Sequence, residues 1–531
     1  MVGNKYNDRE MLEQWILDYA NVLCINSWQV KRYIDIYSAS AISGFSSEDM
    51  LQLTKLYKQA DESWSQTRTA MECRNDSCNP LLPVIKRQIE TYYSFLSAVV
   101  EYARAKWTEF DTNLMAVGLG FMVSSLIFVL VTIHAVGYRV NVYGPRDTGF
   151  TVDLVLSIVV VAVRTCSFLS NSYILEEGKV ANFLLATCGI AKLRISVIRK
   201  KMVFEAFLFL IVNSTLRFLI EVGLTKQAAT SSFLNASPSW MLGINGSHPV
   251  WTYIVQLGPF VCLLVLAWLF YRSIDSRCPL KFLKYIMMGN FASYLLIMIY
   301  WIFESIDVPI NLVETGRIYI PRIIYSVGLF LLFCTSFIRM FGKTSPLDVE
   351  RSLVANVLGM LSIWSPTVII LSGKQGSWIA LLSIIGGYCI ARLGTINEDT
   401  ERIGTMWMLD PLAVTQWNLF AACLFFASGH WCAFDGLRYG AAFIGFDDFI
   451  LSRQAILLSI DTFGFSHIFP ILALPLLTMR RISLDQSDNL NSVIQRLTMV
   501  FMSYGLITSI ATTGSIISVA IQRRHLMVTK W

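Results

Sequence analysis

Charge is scarce in this chain: Asp, Glu, Lys and Arg supply 15% of 531 residues, against 54% that are hydrophobic, and mean hydropathy is +0.53. A soluble globular domain is thereby excluded, and a polytopic membrane protein is indicated. The net charge of +6 is spread over loops without a long basic run, which argues against a nucleic-acid partner. Eleven cysteines show no repeated CxxC spacing, and most fall in apolar stretches as small buried hydrophobes. Histidine is scarcer still, with only His134, His248, His430, His467 and His525. A two-metal phosphotransfer centre needs several Asp and His ligands around a nucleophile, and no such cluster is visible. Ser466 and His467 are neighbours but lack a G-x-S-x-G elbow. Asp461-Thr462 sets a hydroxyl beside a carboxylate, but mid-span and without histidine ligands, so it reads as structural.

The first 110 residues are polar and helical in pattern, a small head preceding the apolar region of 111–531. Apolar positions at three-four spacing predict four short helices over 8–22, 27–40, 46–70 and 84–108, with Ser46-Ser-Glu-Asp as a start and Asn79-Pro80 as a break. Between the last two lies Cys73-Arg-Asn-Asp-Ser-Cys78, where an acceptor sequon at Asn75 is enclosed by two cysteines close enough to bridge. In an oxidising lumen that is a small disulfide loop.

From Asn113 onward, apolar windows of about 20 residues recur, each able to cross a hydrocarbon core. They number about twelve: 114–137, 152–174, 180–198, 203–224, 251–272, 283–305, 322–340, 352–372, 377–394, 416–434, 454–478 and 494–520. The third is the weakest, because Lys192 and Arg194 interrupt it. The fold class is therefore all-α, about twelve transmembrane helices behind a helical lumenal head. With the head in the lumen, Arg139 and Arg146, the 192–201 cluster, Arg272 to Lys284, Arg339 to Lys343 and Arg480-Arg481 all fall on the cytosolic side. The 226–250 loop is then lumenal, where Asn235 and Asn245 head two further sequons. No charged start followed by an apolar core offers a signal peptide for the head. A basic tail at Gln522-Arg-Arg-His525 also falls on the lumenal side. Both ends accordingly read as cuts in a longer protein.

Ionisable residues in or beside the spans are the candidates for function. His430, Asp435 and Arg438 gather at the lumenal end of the tenth span, and His467 lies in the next, antiparallel one, so that His430 and His467 meet if the two helices pack together. Arg164, mid-span, either lines a cavity with Asn171 or is structural. Arg217 and Glu221 are one turn apart and pair as a structural couple, while Asp153 and Glu205, near span ends, snorkel or face headgroups.

These stretches carry a resemblance. Gly429-His-Trp-Cys-Ala-Phe434, Ala441-Ala-Phe-Ile-Gly-Phe446, Ser466-His-Ile468 and Leu474-Pro-Leu-Leu477 resemble the late membrane region of the GPI ethanolamine phosphate transferase 3 family. Ser170-Asn-Ser-Tyr-Ile-Leu-Glu-Glu177, Arg523-Arg-His-Leu-Met-Val528, and Asn26-Ser-Trp-Gln-Val30 with Tyr37-Ser-Ala39 are similar to further segments in the same order. The resemblance implies an endoplasmic reticulum membrane module that holds phosphatidylethanolamine or the GPI precursor glycolipid for a lumenal catalytic domain. That domain, alkaline-phosphatase-like with a threonine nucleophile and paired zinc ions, transfers phosphoethanolamine to a mannose. It is absent ahead of the linker here, so no cofactor and no catalysis are expected of this chain alone. A small hydrophobic stabilising membrane subunit is the implied partner. The sequence departs from the family at Trp431, where Gly-His-Gln is usual, and in ending at Thr529-Lys-Trp531. A second class remains, a secondary transporter or lipid-handling protein, for which about twelve spans are also usual. Against a transporter, no G-x-x-x-D-R-x-G-R-R-like loop follows the second span.

Overall fold

The computed structural model describes residues 3–40, 47–72, 81–108, 112–140, 152–167, 171–231, 249–275, 281–304, 311–341, 349–395, 411–430, 437–477 and 490–528. Among these residues there is no strand. The chain divides into two compact units, Met1–Gly118 and Leu119–Trp531.

The first unit has three helices, α1 (Gly3–Ser40), α2 (Ser47–Glu72) and α3 (Leu81–Thr108). The two helices predicted over 8–22 and 27–40 are one. Val22-Leu-Cys-Ile-Asn26 contains neither Gly nor Pro, so nothing breaks the hydrogen-bond ladder where the apolar face shifts. The start of α2 carries Glu48 and Asp49 in its first turn, favourable against the positive end of the helix dipole. Ile34, Leu53, Phe95 and Val99 form one small core, and Leu23, Ala60 and Tyr92 a second. Burying a side chain of this size stabilises by roughly 2 kcal/mol. The fully buried Gln88 meets its polar need by donating from Nε2 to the Ala60 carbonyl at 2.8 Å. Cys73, Asn75 and Cys78 lie outside the described residues, as do Asn235 and Asn245.

Among the described residues of the second unit, each apolar interval read from the sequence contains helix. The helices are α4 (Thr112–Val140), which crosses the division, α5 (Val152–Ser167), α6 (Asn171–Arg199), α7 (Val203–Ser231), α8 (Pro249–Asp275), α9 (Lys281–Glu304), α10 (Asn311–Phe341), α11 (Val349–Ser372), α12 (Lys374–Leu393) and α13 (Pro411–Ala427). After a short 3-10 helix at Tyr439–Phe443 come α14 (Leu451–Phe463), a π turn at Gly464–Ile468, α15 (Phe469–Ala473) and α16 (Leu490–Val528). Among the described residues nine stretches are long and apolar enough to cross a membrane, and Leu257–Ser273 and Pro411–Ala427 are shorter apolar helices. α5, with 16 residues before an undescribed interval, is shorter than such a span.

The stretch Glu176–Arg199 is among the nine despite Lys192 and Arg194. Lys192 is fully buried with its Nζ 3.5 Å from Asp153 Oδ2, so a carboxylate at the start of α5 compensates the charge inside α6. Asp153 therefore does not snorkel, and neither does Glu205, which lies 3.5 Å from Arg392. Both acids face inward because a basic residue on a neighbouring helix reaches them. Arg217 and Glu221 pair at 2.8 Å, one turn apart on α7.

α13 is the hub. Apolar residues run all round it, and such a helix must be covered on every side; it packs on α5, α6, α7, α12 and α16 and is buried along almost its whole length. Its Trp417 Nε1 donates to the Pro470 carbonyl at 3.1 Å, satisfying an indole that has no water to turn to.

Candidate functional site

Where α13 ends, the chain leaves its helix through Ser428 and Gly429, the latter at φ +98°, a backbone conformation that suits glycine. The turn delivers His430 into the interior, fully buried and stacked on Phe425 with ring centres 4.4 Å apart and planes 6° from parallel. Gln375, at the start of α12, holds this end together: its Nε2 donates to the Leu219 carbonyl of α7 at 3.0 Å and to the Ala427 carbonyl of α13 at 2.5 Å. One amide at the start of α12 thus caps the C-terminus of α13 and ties it to the body of α7.

α14 brings the centre of the site. Asp461, on the inward face, is buried with none of its side chain exposed. Its Oδ1 lies 3.3 Å from Arg438 Nη1 and 3.5 Å from Ser372 Oγ at the end of α11. Its Oδ2 is 3.9 Å from His430 Nε2 and has no hydrogen-bond partner among the described residues. Arg438, with 26% of its side chain exposed, also donates from Nη1 to the Ser428 carbonyl at 2.7 Å. A carboxylate, a guanidinium and an imidazole thus meet at one end of the bundle.

One part of the reading of Asp461-Thr462 changes, its lack of a nearby histidine. A histidine does face Asp461, but it comes from the preceding span, and no local spacing could announce it. The available signal was positional: Asp461 is the only acidic residue in the interval 454–478, and an ionised group inside an apolar span calls for a partner.

The expected meeting of His430 with His467 is not how the helices pack. His467 is exposed, bonded through Nδ1 to Ser466 Oγ at 2.7 Å and edge-on to Phe463 at 5.1 Å, whereas His430 is buried against Asp461. His467 stands six positions after Asp461, inside the π turn Gly464–Ile468, and is exposed. Arg164 joins a different cluster, donating from Nη1 to Asn418 Oδ1 at 2.7 Å, while Asn418 Nδ2 donates to Thr508 Oγ1 at 2.9 Å. Asn418 is nine residues from Ala427, about 14 Å of helix rise, so this cluster sits deeper than the first. Asp435 and the side chain of Asn171 lie outside the described residues.

The segment 437–450 roofs the cluster and is pinned from two sides. Arg322 Nε of α10 donates to the Gly445 carbonyl at 2.7 Å, Tyr325 Oη donates to the Ile444 carbonyl at 3.2 Å, and the guanidinium carbons of Arg322 and Arg453 lie 4.7 and 4.0 Å from the centre of the Phe446 ring. Asp448 accepts from Arg453 Nη2 at 3.1 Å, and this bond holds its carboxyl below the ordinary carboxylate range. Leu437, Tyr439, Phe443, Phe449 and Ile450 are exposed along the same segment, the composition of a stretch lying at a membrane boundary. A shallow groove on α7 lined by Phe207, Leu210, Ser214 and Phe218 lies along that helix's outer face, apart from the cluster.

No family model, curated protein or solved structure matches the chain.

Proposed function

We propose that this chain is the membrane portion of an ethanolamine phosphate transferase of GPI-anchor synthesis, crossing the endoplasmic reticulum membrane about twelve times with its first unit lumenal. In this reading Asp461, Arg438 and His430 receive the polar headgroup of phosphatidylethanolamine or of the GPI precursor, and a lumenal phosphatase-like domain supplies the chemistry. A small hydrophobic subunit is the partner that the resemblance adds.

One observation carries the headgroup assignment: Asp461 uses Oδ1 toward Arg438 while Oδ2 has no hydrogen-bond partner among the described residues. A carboxylate with a spare acceptor beside a partly exposed guanidinium complements an ammonium joined to a phosphate. An unfilled buried acceptor is costly, and an ammonium donor removes that cost.

Native mass spectrometry of the purified full chain, titrated with phosphatidylethanolamine or phosphatidylcholine, tests it. Preferential retention of phosphatidylethanolamine, lost in Asp461→Asn, is expected, because a trimethylated ammonium offers no N–H. Equal retention of both lipids by the unaltered protein overturns the headgroup site. Expression in cells lacking the transferase tests the wider reading: surface GPI-anchored proteins restored by this chain alone would overturn its non-catalytic role.

A further inference from the structure

The shallow groove on α7 runs into an ion pair. Its lining residues, Phe207, Leu210, Ile211, Ser214, Thr215 and Phe218, recur at three-four spacing around a volume of about 570 Å³. From Phe207 to Phe218 the helix rises about 16 Å, roughly half the thickness of a hydrocarbon core and so the depth of one leaflet. The Ser214 and Thr215 hydroxyls donate to the Leu210 and Ile211 carbonyls, each at 2.9 Å, so the groove presents an apolar wall. The same helical stripe continues from Leu210 and Ser214 through Arg217 to Glu221. Both charged residues lie within the span Val203–Gly223, yet 36% and 31% of their side chains are exposed. Charges in a span ordinarily turn to the interior of the bundle.

We infer that this stripe binds one zwitterionic phospholipid, with an acyl chain in the groove, the phosphate on Arg217 and the ammonium on Glu221. The order of groups along α7 is the order of groups in such a lipid. Apolar residues come first, Arg217 stands at the level of the last ring, and Glu221 follows one turn further on, about 6 Å by backbone rise. A guanidinium suits a phosphate and a carboxylate suits an ammonium, and the two protein charges also satisfy each other at 2.8 Å.

Helix energetics do not account for that order. At a spacing of four, an acid ahead of a base is the more favourable arrangement because it also suits the helix dipole, and here the base comes first. A purely apolar helix lying in the groove would leave the charges at its end unanswered. The inference is independent of the Asp461 cluster.

The full chain, purified in detergent, is titrated with phosphatidylcholine or phosphatidylglycerol and followed by native mass spectrometry. Phosphatidylcholine is the probe because the site proposed at Asp461 disfavours it, so either reading can fail without the other. Retention of phosphatidylcholine over phosphatidylglycerol by about fivefold is expected, the size of one charge-assisted contact at a partly exposed site. Exchanging the charges, Arg217→Glu with Glu221→Arg, keeps the pair and improves its fit to the dipole; the unfolding midpoint is expected to hold or rise while the preference disappears. Ser214→Phe, which fills the groove at an exposed position, is expected to reduce phosphatidylcholine retention and leave the ion pair intact. Equal retention of both lipids by the unaltered protein overturns the inference, as does an exchanged variant that keeps the preference or a Ser214→Phe protein with undiminished retention. A cross-linked dimer of the unaltered protein that Ser214→Phe abolishes while lipid retention stays the same assigns the groove to a second copy, and overturns it too.

Discussion

Asp461 is a single carboxylate whose meaning depends on three other segments of the chain. Its partners Arg438, Ser372 and His430 stand 23, 89 and 31 positions away in the chain. Removing it leaves the Arg438 guanidinium, only 26% exposed, without its counter-charge. Asp461→Ala is therefore expected to destabilise the protein by about 3 kcal/mol, read as a fall in unfolding midpoint in detergent, and Asp461→Asn by less because hydrogen bonding survives. At the rim, Asp448 titrates below the ordinary carboxylate range because Arg453 bonds its charged form. A depressed folded value means the contribution is fully present above the unfolded pKa and disappears as pH falls through the folded one. The Asp448–Arg453 tie is thus intact throughout the neutral and mildly acidic range. Carbon-13 titration of the labelled carboxyl should show a midpoint below that of Asp in a short peptide, and Arg453→Gln should move it part of the way back, since a backbone hydrogen bond and the Arg322 charge still favour the ionised form.

Among the elements, the eleventh apolar interval shows how much a span can conceal. Its composition predicts one helix over 454–478, and the structure has α14, a π turn, α15 and a 3-10 end in succession. The π turn begins at Gly464, where an added Cβ would lie 2.5 Å from Val368 Cγ1 of α11. Gly464→Val is expected to separate α11 from α14 and cost about 2 kcal/mol, with Asp461 displaced from Ser372, so phosphatidylethanolamine retention falls along with the unfolding midpoint. The α5–α6 pair offers a second case. Lys192→Met leaves Asp153, largely buried, beside an apolar side chain and is expected to destabilise by about 3 kcal/mol. Combining it with Asp153→Asn should recover most of that loss in a double-mutant cycle, because the pair's burial is what each single change exposes. The helix at 180–198 was legible from hydropathy; that its lysine has a carboxylate on another helix was not.

Across the whole molecule, the expected topology makes a prediction that does not depend on side-chain geometry. With the first unit and the 226–250 loop lumenal, glycosidase treatment of the full chain from a secretory-competent cell should shift its mobility. Asn75→Gln, Asn235→Gln and Asn245→Gln should each remove one step. A chain with no shift would overturn the lumenal placement, and steps confined to one of the two segments would change the number of crossings between them. Composition by itself determined that the chain is helical and membrane-embedded, since backbone in hydrocarbon must satisfy its own hydrogen bonds and an apolar run of that length does so as a helix. Hydrophobic spacing also placed the helices of the first unit, apart from the junction within α1. Only the tertiary structure decided which charges meet. It set Asp461 against His430 and Arg438, turned His467 outward, and gave Asp153 and Glu205 basic partners within the bundle. The reason is geometric: hydropathy depends on what a segment contains, while the pairing of buried charges depends on the rotation of each helix about its axis, and a single π turn is enough to change that.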